Sequence, residues 1–219
     1  MQQSKINLCF FFDTYHYVCL HIRVHFYTYN SLLFIYYSGE QTSKASNDVL
    51  TKSAKAFGSA VYNEHTGGRK IDLMIRSSGI ELSTSEWKKK GVGITTGKEQ
   101  QVKNVRGNKA ILKNLVSLPI TDSDRENVFC LGMDFIGSVG YMFSVYHLDD
   151  AYVASFVADL SLPVDFTELE DFVTTLDNFY KFKNQHTRLQ KMIDPAYRGY
   201  QETQTLSQLR INIQRTFIQ

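Results

Sequence analysis

The sequence predicts a single α/β domain that ends in a long helix. Two apolar-rich runs of strand length flank a turn sequence near residue 79, which is typical of a β-hairpin. Segments with apolar residues at helical spacing lie before and after these runs. The chain has 219 residues, 43% of them hydrophobic, which is enough to bury one core. The sequence contains no internal repeat and no sign of a second domain.

Helical periodicity predicts the first helix between Ser46 and Tyr62. Ser46 or Asn47 can accept a hydrogen bond from the first turn and cap this helix. The pair Gly67-Gly68 then turns the chain towards the strands.

The next two elements are predicted to form a tight β-hairpin. Apolar-rich runs lie at residues 71–77 and 80–87, and Gly79 between them can adopt the positive φ of a short turn. Folding the chain back at this turn places Asp72 roughly opposite the Ser85-Glu86 pair.

A second helix is predicted from Lys98 to Leu118, because its apolar residues recur at helical spacing. Three strands are predicted after it, at residues 127–135, 140–148 and 152–162. Asp149-Asp150, between the last two strands, is a turn sequence.

A long C-terminal helix is predicted to begin at the capping-box-like pair Asp165 and Glu168 and to end near Leu189. Its expected core stripe consists of apolar residues at helical spacing: Phe166, Leu169, Phe172, Val173, Leu176, Phe179 and Tyr180. Residues 194–219 are expected to form a loose polar tail.

Residues 1–37 differ in composition from the rest of the chain. They are rich in Tyr, Phe, His and Cys without a regular period, and Asp13 and Arg23 interrupt any membrane-spanning run. Two interpretations are open: translated non-coding DNA, because AT-rich codons yield such residues, or genuine additional strands. We expect this segment to lie outside the core and residues 38–193 to form the domain, without membrane insertion.

Asp72, Glu86 and Lys88 are the candidate catalytic groups. Residues two apart in a strand share a face, so Glu86 and Lys88 should point the same way. With Asp72 on that face, two carboxylates and one ammonium converge, and oxygen ligands of this kind suit Mg²⁺ or Mn²⁺. The alternative is that all three are solvated strand-edge residues. Glu81 has odd parity and is expected on the opposite face, barring a bulge.

Asp72, followed by Glu86-Trp87-Lys88, resembles the core motif of the PD-(D/E)XK nuclease superfamily, which has the restriction-endonuclease-like fold. More closely, the runs GRKIDLMIRSSGIELSTSEWKKK and GMDFIGSVGYMFSVYHLDDAYVA resemble a group of uncharacterised fungal proteins. The proline that often precedes the first acid is absent, and Ile71 stands there.

The resemblance implies a mixed β-sheet flanked by helices, with an α-β-β-β-α-β core and a nuclease-like domain at residues 38–193. It also implies that Asp72 and Glu86 hold Mg²⁺ or Mn²⁺ and that Lys88 is the catalytic lysine. The metal would activate a water molecule against a phosphodiester. Lys88 would position that water or stabilise the charged transition state.

In the resembled nucleases, the helix after the catalytic strand approaches the substrate backbone. By this resemblance, four polar residues of the second helix would contact nucleic acid: Gln101, Lys103, Arg106 and Lys109. The first three could instead support the catalytic groups. DNA is expected as the partner in preference to RNA. A solvated helix face is the alternative. Trp87 is expected in the core rather than as a base-stacking platform. Asp134 is expected at the end of a strand rather than as an extra metal ligand.

Two functions are therefore considered. The first is a metal-dependent nuclease, and the second is a catalytically inactive nuclease-like module of mobile-element or effector origin that binds nucleic acid or protein. The net charge of +2 is too small to identify a nucleic-acid partner. The odd count of three cysteines, without a C-x-x-C pair, fits a reducing compartment, so we expect an intracellular protein of the nucleus or cytoplasm.

Overall fold

The computed structural model describes residues 6–9, 23–28, 31–32, 34–57 and 70–217. Near the N-terminus, three short antiparallel strands form a small sheet in the order β1-β2-β3. They are β1 (Ile6–Cys9), β2 (Arg23–Thr28) and β3 (Ser31–Leu32).

The centre of the fold is a six-stranded mixed sheet whose spatial order is also its chain order. Its strands are β4 (Phe34–Thr42), β5 (Lys70–Ser77), β6 (Ile80–Lys88), β7 (Phe129–Ile136), β8 (Val139–Leu148) and β9 (Ala151–Ser161). Neighbouring strands are antiparallel, except for the parallel pair β6 and β7. A parallel pair needs a crossover connection, and the second helix of the chain provides it.

The helices are α1 (Lys44–Phe57), α2 (Ile94–Val116), α3 (Asp122–Glu126) and α4 (Leu169–Phe217). Helix α2 packs on β6 and β7, whereas α4 contacts β9 and, less extensively, β6 and β7. The predicted α/β class, with a mixed sheet, flanking helices and a long C-terminal helix, is confirmed. Within the described ranges, no helix is long and apolar enough to cross a lipid bilayer.

Strand β4 changes the expected division of the chain. It pairs with β5 from Phe34, opposite Arg76, to Thr42, opposite Lys70. The boundary expected between residues 37 and 38 therefore falls inside a strand, and residues 34–37 belong to the central sheet. For residues 1–33, the expectation of a segment outside the core concerns residues that lie partly outside the described ranges.

The β5–β6 hairpin follows the prediction closely. Ser78 and Gly79 form its two-residue turn, with φ values of 50° and 87°. Positive φ at both positions is typical of a type I′ turn, whose twist matches that of the two strands.

A bulge interrupts the register of this hairpin. Arg76 pairs with Glu81, but the preceding Ile75 pairs with Ser83, so Leu82 is an extra residue on β6. Strand parity therefore does not extend across this point, as the prediction for Glu81 had allowed.

Glu81 holds the start of α1 and takes no part in the candidate site. Ser43 Oγ caps the helix by accepting from Ser46 N at 3.1 Å, so the predicted caps, Ser46 and Asn47, lie inside the helix. The buried Glu81 carboxylate accepts from Ser43 Oγ at 2.8 Å, Lys44 N at 2.7 Å and Ala45 N at 3.1 Å. A carboxylate at a helix N-terminus is stabilised by the helix dipole.

Helix α4 is much longer than predicted. It continues beyond Leu189 because Ile193 is fully buried and Asp194 accepts a hydrogen bond from Ser77 Oγ at 3.0 Å. The expected polar tail is helical as far as Phe217, although residues 198–211 are exposed, as their polarity suggests.

The buried face of α4 also differs from the predicted stripe. Phe172 is buried, but Phe166 is 91% exposed and Val173 is 62% exposed. The buried face of α4 mixes apolar and polar residues: Phe172, Thr175, Phe182, His186, Leu189 and Ile193. Apolar periodicity did not predict this face because two of its residues, Thr175 and His186, are polar. Hydrogen bonding allows such residues to be buried, as shown by His186 Nε2, which lies 2.6 Å from Ser83 Oγ.

We expect Gly132→Ala to destabilise the domain by about 3 kcal/mol, since overpacking a rigid site costs energy. A Cβ atom on Gly132 would lie 2.6 Å from Phe143 Cζ and 2.8 Å from the backbone oxygen of Thr84. Urea unfolding would measure the change. The matched control is Gly93→Ala, where an added Cβ meets nothing within 4 Å. Equal stability of the two variants would contradict the prediction.

Candidate active site

The hairpin brings the three predicted catalytic side chains together. Lys88 Nζ lies 3.9 Å from Asp72 Oδ2 and 3.9 Å from Glu86 Oε2. The two carboxylate oxygens are therefore no farther apart than twice that distance. Asp72 Oδ2 also accepts a hydrogen bond from the backbone N–H of Trp87 at 2.8 Å, which fixes β5 against the end of β6.

The three side chains differ in their access to solvent. The Glu86 side chain is 0% exposed, whereas those of Asp72 and Lys88 are 32% and 35% exposed. The pKa of Glu86 is raised from 4.5 to about 7, mainly by burial and also by the charge of Asp72, against the lowering effects of Lys103 and Lys88. The site therefore pairs a buried carboxylate with a carboxylate and a lysine that reach solvent.

Lys103 is the closest cation to Glu86. Its Nζ lies 2.8 Å from Glu86 Oε1, while Lys88 is 3.9 Å from the other oxygen. The resemblance left two roles open for Lys103, a phosphate contact or support of the catalytic groups, and the structure places it against the candidate metal ligand Glu86. No spacing rule links a helix residue to a strand residue seventeen positions earlier, so the ion pair was not predictable.

Asp134 lies beside Glu86, opposite it in the parallel β6–β7 pair. It is within β7 and not at a strand end, which corrects the prediction. Its Oδ1 accepts from Asn104 Nδ2 at 2.7 Å and Gln100 Nε2 at 3.4 Å, and its Oδ2 accepts from Tyr141 at 2.8 Å. Burial raises the pKa of Asp134. Its oxygens are already occupied, so it supports the site structurally.

A line of buried amides, which the sequence patterns did not predict, joins α2 to the sheet. Gln100, Asn104 and Asn108 are spaced four residues apart, so they share one helix face. Asn108 Nδ2 donates to the backbone oxygen of Thr84 at 2.9 Å, and Thr84 N donates to Asn108 Oδ1 at 3.0 Å. Gln100 Nε2 donates to the backbone oxygen of Glu86 at 3.3 Å. The spacing of four residues between these amides was the sequence feature that could have revealed the line.

The other predicted nucleic-acid contacts have separate surroundings. Gln101 lies beside Tyr141, and Lys109 Nζ lies 5.0 Å from the ring centre of Tyr152 in a cation–π contact. Arg106 is exposed on α2. Gln101 and Lys109 therefore each contact a tyrosine side chain, whereas Lys103 and Arg106 line a common groove.

A groove of about 450 Å³ runs along α2 beside the site. We call it the α2 groove, and the described residues that line it are Ile94, Thr95, Lys98, Glu99, Val102, Lys103 and Arg106. Ile94 is 80% exposed, so the groove combines apolar surface with three basic side chains. Because Lys103 also touches Glu86, the groove leads to the carboxylates.

Trp87 packs in the core, as expected. Its ring stacks on Phe135 with the ring centres 4.8 Å apart and the planes 6° from parallel. It is therefore not placed to stack on a nucleic-acid base.

The donor set fits a hard divalent cation held by few protein ligands. Both Glu86 oxygens are buried, and no neutral group in the described part of the chain donates a hydrogen bond to them. Across the same residues, no group of three or more His, Cys, Asp or Glu side chains is placed to hold a metal. Mg²⁺ commonly uses one or two carboxylates and completes its shell with water and substrate phosphate. Asp72 and Glu86 meet that smaller requirement.

Comparison of the chain with protein-family models, curated proteins and solved structures found no match. The resemblance to the nuclease superfamily therefore rests on the motif of Asp72 and Glu86-Trp87-Lys88 and on the geometry of those side chains.

We expect Glu86→Gln to change how stability depends on pH. The folded protein holds the Glu86 proton more tightly than the unfolded chain, so the contribution of Glu86 is greatest below pH 4.5 and is lost as the pH rises towards 7. Relative to the parent, the variant should gain about 3 kcal/mol of unfolding free energy over this window. Urea unfolding at several pH values would measure this difference.

His186 also makes the stability of both proteins depend on pH. Burial lowers its pKa to about 4, so in both proteins it makes stability rise with pH between about 4 and 6.5. This contribution cancels in the difference between parent and variant. Parallel pH curves for the two proteins would contradict the prediction for Glu86.

Proposed function

We propose that this chain is a metal-dependent nuclease-like domain that hydrolyses nucleic-acid phosphodiesters. The observation that carries the proposal is the position of Lys88 Nζ, 3.9 Å from the carboxylates of both Asp72 and Glu86. Two carboxylates and a lysine, from the start of β5 and the end of β6, are the groups that the resembled nucleases require.

Each residue has a separate part in this proposal. A bound Mg²⁺ or Mn²⁺, held by Asp72 and Glu86, would supply an activated water and neutralise charge on the phosphate. Lys88 is partly exposed beside the carboxylates, so its ammonium can donate hydrogen bonds to the attacking water or to a phosphate oxygen. The Trp87 N–H holds Asp72 in place, and burial fixes Glu86.

The substrate would approach from the α2 groove. Lys98, Lys103 and Arg106 line it and present positive charge to a phosphate backbone. Contacts of this kind position nucleic acid without reading its sequence. We propose DNA in preference to RNA as the substrate.

The test is a cleavage assay with Mg²⁺ or Mn²⁺ on plasmid DNA, single-stranded DNA and RNA. We expect metal-dependent cleavage of DNA by the parent and none in EDTA. Asp72→Asn and Glu86→Gln should each abolish cleavage because they remove a proposed metal ligand. Cleavage that persists in both variants would come from a contaminant or another site, and the proposal would fail.

The second candidate is a catalytically inactive module that binds nucleic acid or protein. The Lys103–Glu86 contact of 2.8 Å favours it, since an ammonium already compensates the buried carboxylate. This candidate predicts nucleic-acid binding that is insensitive to Mn²⁺ and unaffected by Asp72→Asn, with no cleavage under any metal condition.

A further inference from the structure

We infer that Lys103 holds the place of the divalent cation on Glu86 and moves into the α2 groove when that cation binds. Cation binding would then prepare the groove for nucleic acid. This inference rests on the proposed function, because it assumes that Glu86 is a metal ligand.

The first step is a competition for one carboxylate. Lys103 Nζ is 2.8 Å from Glu86 Oε1, within hydrogen-bonding distance, and the Glu86 side chain is fully buried. A divalent cation bound to the same carboxylate would repel the ammonium at that distance. Lys88 Nζ lies 3.9 Å from the other Glu86 oxygen, so the bound cation would repel it less strongly.

The second step is the route that Lys103 can take. Its side chain is 31% exposed and lines the α2 groove together with Lys98 and Arg106. Lysine has a flexible stem, so rotation of the side chain is sufficient to turn the ammonium from Glu86 towards the groove. The groove would then gain a positive charge that is no longer compensated by Glu86.

The third step is a linkage between two ligands. If the cation frees Lys103 for phosphate, the cation must raise the affinity for nucleic acid, and nucleic acid must raise the affinity for the cation by the same factor. Some coupling also arises whenever a metal touches a phosphate directly. The part that depends on Lys103 has to be isolated with variants.

The test measures Mn²⁺ binding by calorimetry at pH 8 for the parent, Lys103→Met, Lys103→Arg and Lys98→Met. Removing the competing ammonium should lower the Mn²⁺ Kd of Lys103→Met by about tenfold. Lys103→Arg keeps a competing cation and should resemble the parent. Lys98→Met removes one charge from the same groove without touching Glu86, so its Mn²⁺ Kd should not change.

The second measurement is binding of a fluorescent single-stranded DNA, with Ca²⁺ present or absent. In the parent, Ca²⁺ should raise DNA affinity, and in Lys103→Met this enhancement should fall by about fivefold or more, within the usual range of coupling factors. Lys98→Met should weaken DNA binding in both conditions and preserve the enhancement.

The outcomes separate the two proposals. If Glu86→Gln abolishes Mn²⁺ binding but Lys103→Met leaves the Mn²⁺ Kd and the Ca²⁺ enhancement unchanged, the inference is wrong and the metal site stands. If the parent does not bind Mn²⁺, or Glu86→Gln and Asp72→Asn bind it like the parent, both proposals are overturned. If Lys103→Met is unstable, the inference requires that Lys103→Arg show the parent's Mn²⁺ Kd and Ca²⁺ enhancement, and loss of either refutes it.

Discussion

Replacing Lys88 with alanine is expected to lower the kcat of DNA cleavage by about a hundredfold or more, as for removal of a charge-stabilising donor. The role proposed for Lys88 is strongest in the transition state, so KM should change little. Lys88 is 35% exposed, so its loss should cost little stability. Single-turnover cleavage with Mn²⁺ and a matching thermal unfolding curve would measure both effects.

The matched control is Lys89→Ala. Lys89 is the next residue along the chain, is exposed and carries the same charge, but it is outside the group formed by Asp72 and Glu86. A variant at Lys88 that is as active as the Lys89 variant would mean that cleavage does not depend on this lysine.

Asn108→Ala should produce the largest loss of stability among the polar substitutions discussed, about 3 kcal/mol. The substitution removes the partner of both the N–H and the carbonyl of Thr84, in a region where water cannot replace it. For a domain of this size, the Tm should fall by roughly 6–12 °C. Differential scanning calorimetry would measure the change.

Asn114→Ala is the control on the same helix. Asn114 is half-buried, and its hydrogen bond with Ser117 uses only the backbone oxygen, which the substitution keeps. Its Tm should stay within about 2 °C of the parent, as for surface substitutions generally. A similar fall in both variants would mean that general helix propensity, and not the amide contacts of Asn108, determines the loss.

The hairpin was predictable because its determinants are local. Gly79 fixes the turn, and the turn fixes which residues of β5 and β6 face each other. The meeting of Asp72, Glu86 and Lys88 therefore follows from a few adjacent residues. The specific nuclease fold remains a prediction from the motif.

The features that the sequence did not reveal depend on tertiary contacts. Polar residues at Asn104 and Asn108 resemble a solvated helix face until the facing strand supplies partners. Pro195 resembles a helix end, yet α4 passes through it, helped by the buried Ile193 and the Asp194–Ser77 contact. In both cases the strand that supplies the contact cannot be identified from the local sequence pattern.

The amide line of α2 also determines how the site can respond to a ligand. A shift of the helix by one turn, about 5.4 Å, would place Gln100 where Asn104 now lies, and the longer side chain would not reproduce its hydrogen bonds. These hydrogen bonds therefore oppose axial sliding of helix α2 along the sheet. Movement near Glu86 is left to individual side chains, whose rotamer changes take picoseconds to nanoseconds when exposed. In the proposed exchange, Lys103 would therefore move while the backbone around Glu86 keeps its position.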